Sequence, residues 1–140
     1  MRLKFYYSDG GVYPPNGRVY LSGQKIVNNN NDDENELNRY QNYFANTIGM
    51  LTNDIDDCER ILKEIESIEN SVDKNITIQG NDLDVVLSGN EIQVNINLDD
   101  DWVGQPEGRF KISQFKAAMI ARCRFLTLPK SLENVVEIDI

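Results

Sequence analysis

Between residues 37 and 65 an apolar side chain returns every seventh position: Leu37, Phe44, Leu51, Cys58 and Ile65. Ile48, Ile55 and Leu62 interleave at the same interval. That spacing is helical, so the middle of the chain must bury one long stripe of a helix or of helices. A straight helix over 33–69 would run about 55 Å at 1.5 Å per residue. A folded chain of 140 residues has a radius of gyration of only about 14 Å. The stripe must therefore bend back. Gly49, Thr52, Asn53 and Asp54 supply the break and a fresh N-cap, which predicts helices over about 33–51 and 54–70. Asp32 or Asp33 is the expected first N-cap, with Glu36 placed to complete a capping box. The alternative use of the stripe is a self-associating coiled coil. Tyr, Asn and Cys interrupt it, and fewer than five heptads are present, so a monomer is expected.

The period then changes. Ile76 and Ile78 alternate with polar residues, Leu83 to Leu87 form a short apolar run, and Ile92, Val94, Ile96 and Leu98 alternate with Gln93, Asn95 and Asn97. Gly80-Asn81-Asp82 and Ser88-Gly89-Asn90 separate these runs as turns. The pattern predicts a three-stranded antiparallel meander. Residues 2–7 and 135–140 read as strands at the two ends. Gly10, Gly11, Pro14, Pro15 and Gly17 read as turns, with a short strand at 19–21. Residues 110–126 return to helical spacing. Ser113 is the expected N-cap, Ile112, Phe115, Met119, Ile120, Cys123 and Leu126 the buried side, and Lys116, Arg122 and Arg124 the outer side, with Pro129 as the stop. The fold class is thus α+β: one domain over residues 1–140, an antiparallel sheet containing the meander, and two to three helices packed on it.

Charge narrows the partners. The chain carries 14 Lys plus Arg against 23 Asp plus Glu, a net charge of −9. Residues 1–30 carry +3, residues 31–107 carry −15 and residues 108–140 carry +3. A nucleic-acid binder shows a basic footprint, and an anionic membrane attracts basic segments, so neither partner is expected. The acidic middle either keeps a solvated face soluble or steers a positive protein partner. No apolar run is long enough for a signal peptide or a membrane span, which predicts a cytoplasmic protein.

No residue pattern points to catalysis, and no cofactor is expected. With no His, the commonest general base and zinc ligand is missing. Cys58 and Cys123 fall in helical patterns and read as buried thiols. GxxxxGK[ST], GxGxxG and GxSxG are all lacking. A calcium loop starting at Asp99 would place Asp101, Gly104 and Glu107 correctly. Val103 and Phe110, however, stand where oxygen ligands belong, and no metal site is expected. A carboxylate-based enzyme stays open only because acids are abundant. The candidate binding residues are Asp99, Asp100 and Asp101 with Trp102 as an aromatic anchor, then Glu34 and Glu36, then Asp54, Asp56 and Asp57. Trp102 could instead plug the core, and the Asp54 to Asp57 group could simply complement a helix dipole.

The segment SQFKAAMIARCRFLTLP (residues 113–129), followed by ENVVEIDI at 133–140, resembles bacterial immunity proteins of contact-dependent growth inhibition systems. The resemblance implies a small cytoplasmic protein that binds a cognate toxin domain and neutralises it without chemistry. Many such toxins are nucleases with a basic cleft, which a carboxylate-rich surface could fill or cover from the side. Trp102 or Tyr40 would then supply the apolar anchor. These immunity families differ in fold, so the resemblance implies no architecture.

Overall fold

The computed structural model describes residues 1–71 and 74–140. It is a mixed α+β fold with two antiparallel sheets. Strands β1 (Arg2–Tyr13) and β2 (Gly17–Val27) form a long hairpin, and the C-terminal strand β7 (Val135–Asp139) pairs with the other edge of β1. The second sheet has the order β3 (Asn75–Gln79), β4 (Leu83–Ser88), β5 (Glu91–Ile96) and β6 (Arg109–Lys111). Helix α4 (Ile112–Thr127) touches β1 and β7 on one side and β5 and β6 on the other, while α3 (Ile55–Glu69) lies against α4, β3 and β4. The expected meander is present and gains a fourth strand. Residues 109–111 pair with β5, with Lys111 opposite Glu91, before the chain turns into α4.

The N-terminal hairpin is longer than its turn residues suggest. Gly10 and Gly11 do not end a strand. They form a β-bulge, in which the register shifts between Asp9 opposite Tyr20 and Val12 opposite Arg18. Gly11 sits at φ 97°, and its N–H donates to Asp9 Oδ1 at 2.8 Å. A left-handed residue inside a strand is where glycine is required. The expected short strand at 19–21 is accordingly the middle of β2.

The rod carrying the stripe is one continuous helical stretch: α1 (Glu34–Arg39), a π-helical segment (Tyr40–Ala45) and α2 (Asn46–Leu51). Asp33 is the N-cap and accepts from the Asn35 and Glu36 amides. The capping box is not closed, because both Glu36 oxygens take the Arg39 guanidinium instead. The π segment widens the turn by one residue and carries Gln41, whose Oε1 accepts the Ile26 N–H at 2.8 Å. That bond covers part of the outer edge of β2, on which the π segment and α2 pack. The rod ends at Thr52, and α3 begins with Asp54 accepting from the Asp57 amide. Phe44, Ile48, Leu51, Cys58 and Ile65 are buried in the core of the chain itself. Leu37, Ile55 and Leu62, the other members of the stripe, are only partly buried.

Helix α4 is rotated from its expected phase. Ile112, Phe115 and Met119 are buried as expected, but Ala118, Ala121, Arg122 and Phe125 are buried with them, whereas Ile120, expected inside, is exposed and Cys123 and Leu126 are only partly buried. Phe125 sets the phase: its ring stacks on Tyr7 at 4.5 Å and lies 6.0 Å from Phe5. Arg122, three residues earlier, shares that face and is buried with it, against the expectation that it lies outside. The helix starts at Ile112 with Lys111 as N-cap, so Ser113 lies inside the first turn. Among the described residues no helix is long and apolar enough to cross a membrane.

Candidate functional site

The segment between β5 and β6 is held as a fixed ledge beside the helical rod. Residues expected on the polar side of a strand do the holding. Asn95 Oδ1 accepts the Gly104 N–H at 2.8 Å, and Gln93 Nε2 donates to Gln105 O at 2.9 Å. Asn95 and Asn97 are themselves oriented by Asp84, to which they donate at 2.8 and 3.1 Å. Gly108 is pinched between this ledge and β5. A Cβ there would fall 2.3 Å from the Val94 carbonyl oxygen, so only glycine fits. Arg39 ties the ledge to the rod. Its Nη1 donates to the Glu107 and Arg109 carbonyls at 3.1 and 3.0 Å, and its guanidinium lies over the Tyr40 and Phe110 rings.

Asp99 opens a short 3-10 turn and caps it, accepting the Asp101 N–H at 2.9 Å. Asp99, Asp100, Asp101 and Trp102 are all exposed. Trp102 is 45% exposed, so it does not plug the core. Its ring lines a groove of about 300 Å³ between α2 and the end of β5, together with Met50, Leu83, Ile96 and Leu98. Asn42 and Asn46 from the π turn and the start of α2 form one wall, and Asp82 stands in another. Two further depressions flank the same rod. One lies between Glu36 and Arg39 of α1 and Glu107 and Arg109 of the ledge. The other shares Met50 with the groove and continues to Asn53, Asp57 and Arg60. The predicted residues thus fall along one rod: Glu36 toward its start, the Asp99 to Trp102 turn beside its middle, and Asp57 beyond its end.

These carboxylates are not equivalent. Glu36 is committed to Arg39 at 2.8 Å. Asp54 and Asp57 are committed to the start of α3, the dipole-complementing role. The Asn53 amide, with Arg60 beside it, holds the Asp57 carboxyl below the usual range. Asp32 is lowered in the same way by the Asn29 amide. Both displacements run opposite to what a general acid requires. By contrast Glu34, Asp56, Asp100 and Asp101 have no ion-pair or hydrogen-bond partner for their carboxylates among the described residues. Of the predicted residues only Glu36, Trp102 and Asp57 line the three depressions; Glu34, Asp54, Asp56, Asp99, Asp100 and Asp101 line none of them. Asp82, whose carboxylate likewise has no partner among the described residues, lines the groove itself, and Asp100 and Asp101 stand in the turn that presents Trp102.

Sequence reasoning missed Met50, Leu98, Asn42 and Asn46. A signal for Leu98 was present: the alternation Ile92, Val94, Ile96, Leu98 runs past the last residue of β5, leaving Leu98 66% exposed. Met50 is 51% exposed on the same side.

Among the described residues no group of three or more potential ligands is placed to hold a metal ion. Cys58 is fully buried, and burial, with Cys123 alongside, pushes its thiol up to about 12. A thiol so protonated is a poor nucleophile. Cys58 in the native protein is therefore expected to resist iodoacetamide at pH 8 under conditions that alkylate the unfolded chain completely. Mass spectrometry of native and urea-treated samples checks this, and rapid labelling of native Cys58 would contradict the assigned burial. Comparisons with protein-family models, with curated proteins and with solved structures found no match.

Proposed function

We propose that this protein is a cytoplasmic immunity protein that binds a cognate toxin domain through an acidic surface and neutralises it without chemistry of its own. The observation that carries the reading is the ledge. Asp100 and Asp101, unpaired and exposed, stand beside an exposed tryptophan in a turn whose following residues, Gly104 to Arg109, are fastened by Arg39, Asn95 and Gln93. Free carboxylates around an aromatic supply steering and an anchor, whereas a merely solvated face needs no rigid support. The likeness of residues 113–140 to immunity proteins of contact-dependent growth inhibition points the same way. A basic nuclease domain is the toxin class that an acidic ledge would meet best.

The test is co-purification with the product of the neighbouring gene, followed by affinity measured against salt. Replacing Asp99, Asp100 and Asp101 by asparagine is expected to weaken binding about tenfold at low salt, since exposed charge pairs contribute roughly 0.2–1 kcal/mol each. It should also flatten the salt dependence, with most of the loss in the association rate. If neither affinity nor salt slope changes, the ledge is not the contact.

A further inference from the structure

We propose that the groove between α2 and the end of β5 takes one large apolar side chain from a partner protein segment whose neighbouring residues are lysine or arginine. This deepens the preceding reading and rests on it only for the partner being a cationic protein. Single exposed apolar residues on a protein surface are ordinary, but a group of them lining one concavity is not. Met50, Leu98 and Trp102 are each about half exposed or more, come from separate elements, and meet in this groove over a floor of Leu83 and Ile96. The volume of about 300 Å³ is at the small end of ligand sites, suited to one or two side chains rather than a helix face.

Charge selects the occupant. No lysine or arginine lines the groove, Asp82 stands in its wall, and the turn that presents Trp102 carries Asp99, Asp100 and Asp101. An acidic or neutral segment would leave these charges unanswered, whereas flanking cations would pair with them. A second copy of this chain is disfavoured on the same ground, because two grooves with acidic rims would repel and each molecule carries −9. The polar wall suits an extended main chain. Asn46 spends its Oδ1 on Gln41 Nε2 at 2.9 Å, leaving its amide N–H groups to donate to a partner carbonyl.

Trp102 is the only tryptophan, so its fluorescence reads the groove directly. The full chain is titrated with three capped peptides: Lys-Lys-Phe-Lys-Lys, Lys-Lys-Ala-Lys-Lys and Glu-Glu-Phe-Glu-Glu. The phenylalanine-centred basic peptide is expected to shift Trp102 emission to the blue. It should bind roughly tenfold or more tightly than its alanine analogue, as burial of one large apolar side chain implies. The acidic peptide should not bind. Met50→Ser and Leu98→Ser, both at exposed positions that leave the fold intact, should each remove most of the preference for phenylalanine.

Four results overturn the proposal: equal binding of the phenylalanine and alanine basic peptides, equal binding of the acidic peptide, no binding of any, or a blue shift that grows with protein concentration alone. The first, if salt-sensitive, leaves the acidic-surface reading standing without the groove. Conversely, selective peptide binding with no capture of the neighbouring gene product would leave the groove standing and remove the immunity reading.

Discussion

Replacing Phe44 by alanine is expected to cost about 3–5 kcal/mol, the range for a buried aromatic that leaves a cavity. Phe44 is 1% exposed at the centre of the molecule. Its ring lies 4.9 Å from Phe110, 5.6 Å from Tyr40 and 6.3 Å from Phe115, so it joins the helical rod to the second sheet and to α4 at once. Aromatic pairs add to the loss beyond area alone. Against a total stability of roughly 5–15 kcal/mol the variant should remain foldable but marginal. At roughly 3 °C per kcal/mol for a chain this size, its melting temperature should fall by roughly 10–15 °C. Phe44→Leu, which keeps most of the volume, should lose less than half as much. Urea titration of the three proteins at equal slope measures the difference. A loss under about 1 kcal/mol for alanine would mean that the rod and the second sheet are not joined through this ring. Because Phe44 lies inside the rod whose outer side bears Asn42, Asn46 and Met50, the same variant should also weaken partner binding at temperatures where it is still folded.

What the chain declared in advance was periodicity, and what it concealed were the places where two elements share a residue. The stripe from Leu37 to Ile65, the break at Thr52 to Asp54 and the alternation through β3, β4 and β5 are local signals, and each appears in the fold where the spacing put it. The π turn was not legible, and neither was the long-range bond made from it: Gln41 answers an amide of β2 that nothing near residue 41 announces. The fourth strand was hidden because three residues, Arg109 to Lys111, are too few to show a period. The same limit applied to the candidate site. Asp99 to Trp102 could be singled out as acids beside an aromatic. That Trp102 faces Met50 depends on how Arg39 and Gly108 seat the ledge against the rod, a matter of tertiary packing. Asp54 and Asp57 were legible as helix-capping residues for the opposite reason, since their partners lie within four positions.

Arg122 gives the sharpest contrast between side-chain volume and charge. It is 2% exposed, and no carboxylate lies within ion-pair distance among the described residues. Nε donates to Thr52 Oγ1 at 3.0 Å, and Nη2 to Thr52 O at 3.0 Å and Ser22 Oγ at 3.3 Å, while Nη1 has no hydrogen-bond partner. Phe5 and Phe125 lie with their ring centres 5.5 Å from the guanidinium. Desolvation lowers its pKa from the ordinary arginine value. Burying a cation costs several kcal/mol. The hydrogen bonds, at about 1.5 kcal/mol or more each for a charged donor, and the aromatic faces return a similar sum. The charge itself should therefore be close to neutral for stability, and the shape of the side chain should dominate. Arg122→Met, which fills most of the same space and removes the unpartnered N–H, is expected within about 1 kcal/mol of the parent protein. Arg122→Ala removes the same hydrogen bonds to Thr52 and Ser22 as methionine does but also opens a cavity between Phe5 and Phe125, and should lose about 3–4 kcal/mol. Lysine should fall between them, because a point charge on a straight stem cannot serve Thr52 and Ser22 together. Equal losses for methionine and alanine would reverse the argument, showing that the guanidinium hydrogen bonds joining the end of the rod to β2, and not the packing of this side chain, hold the two sheets around α4.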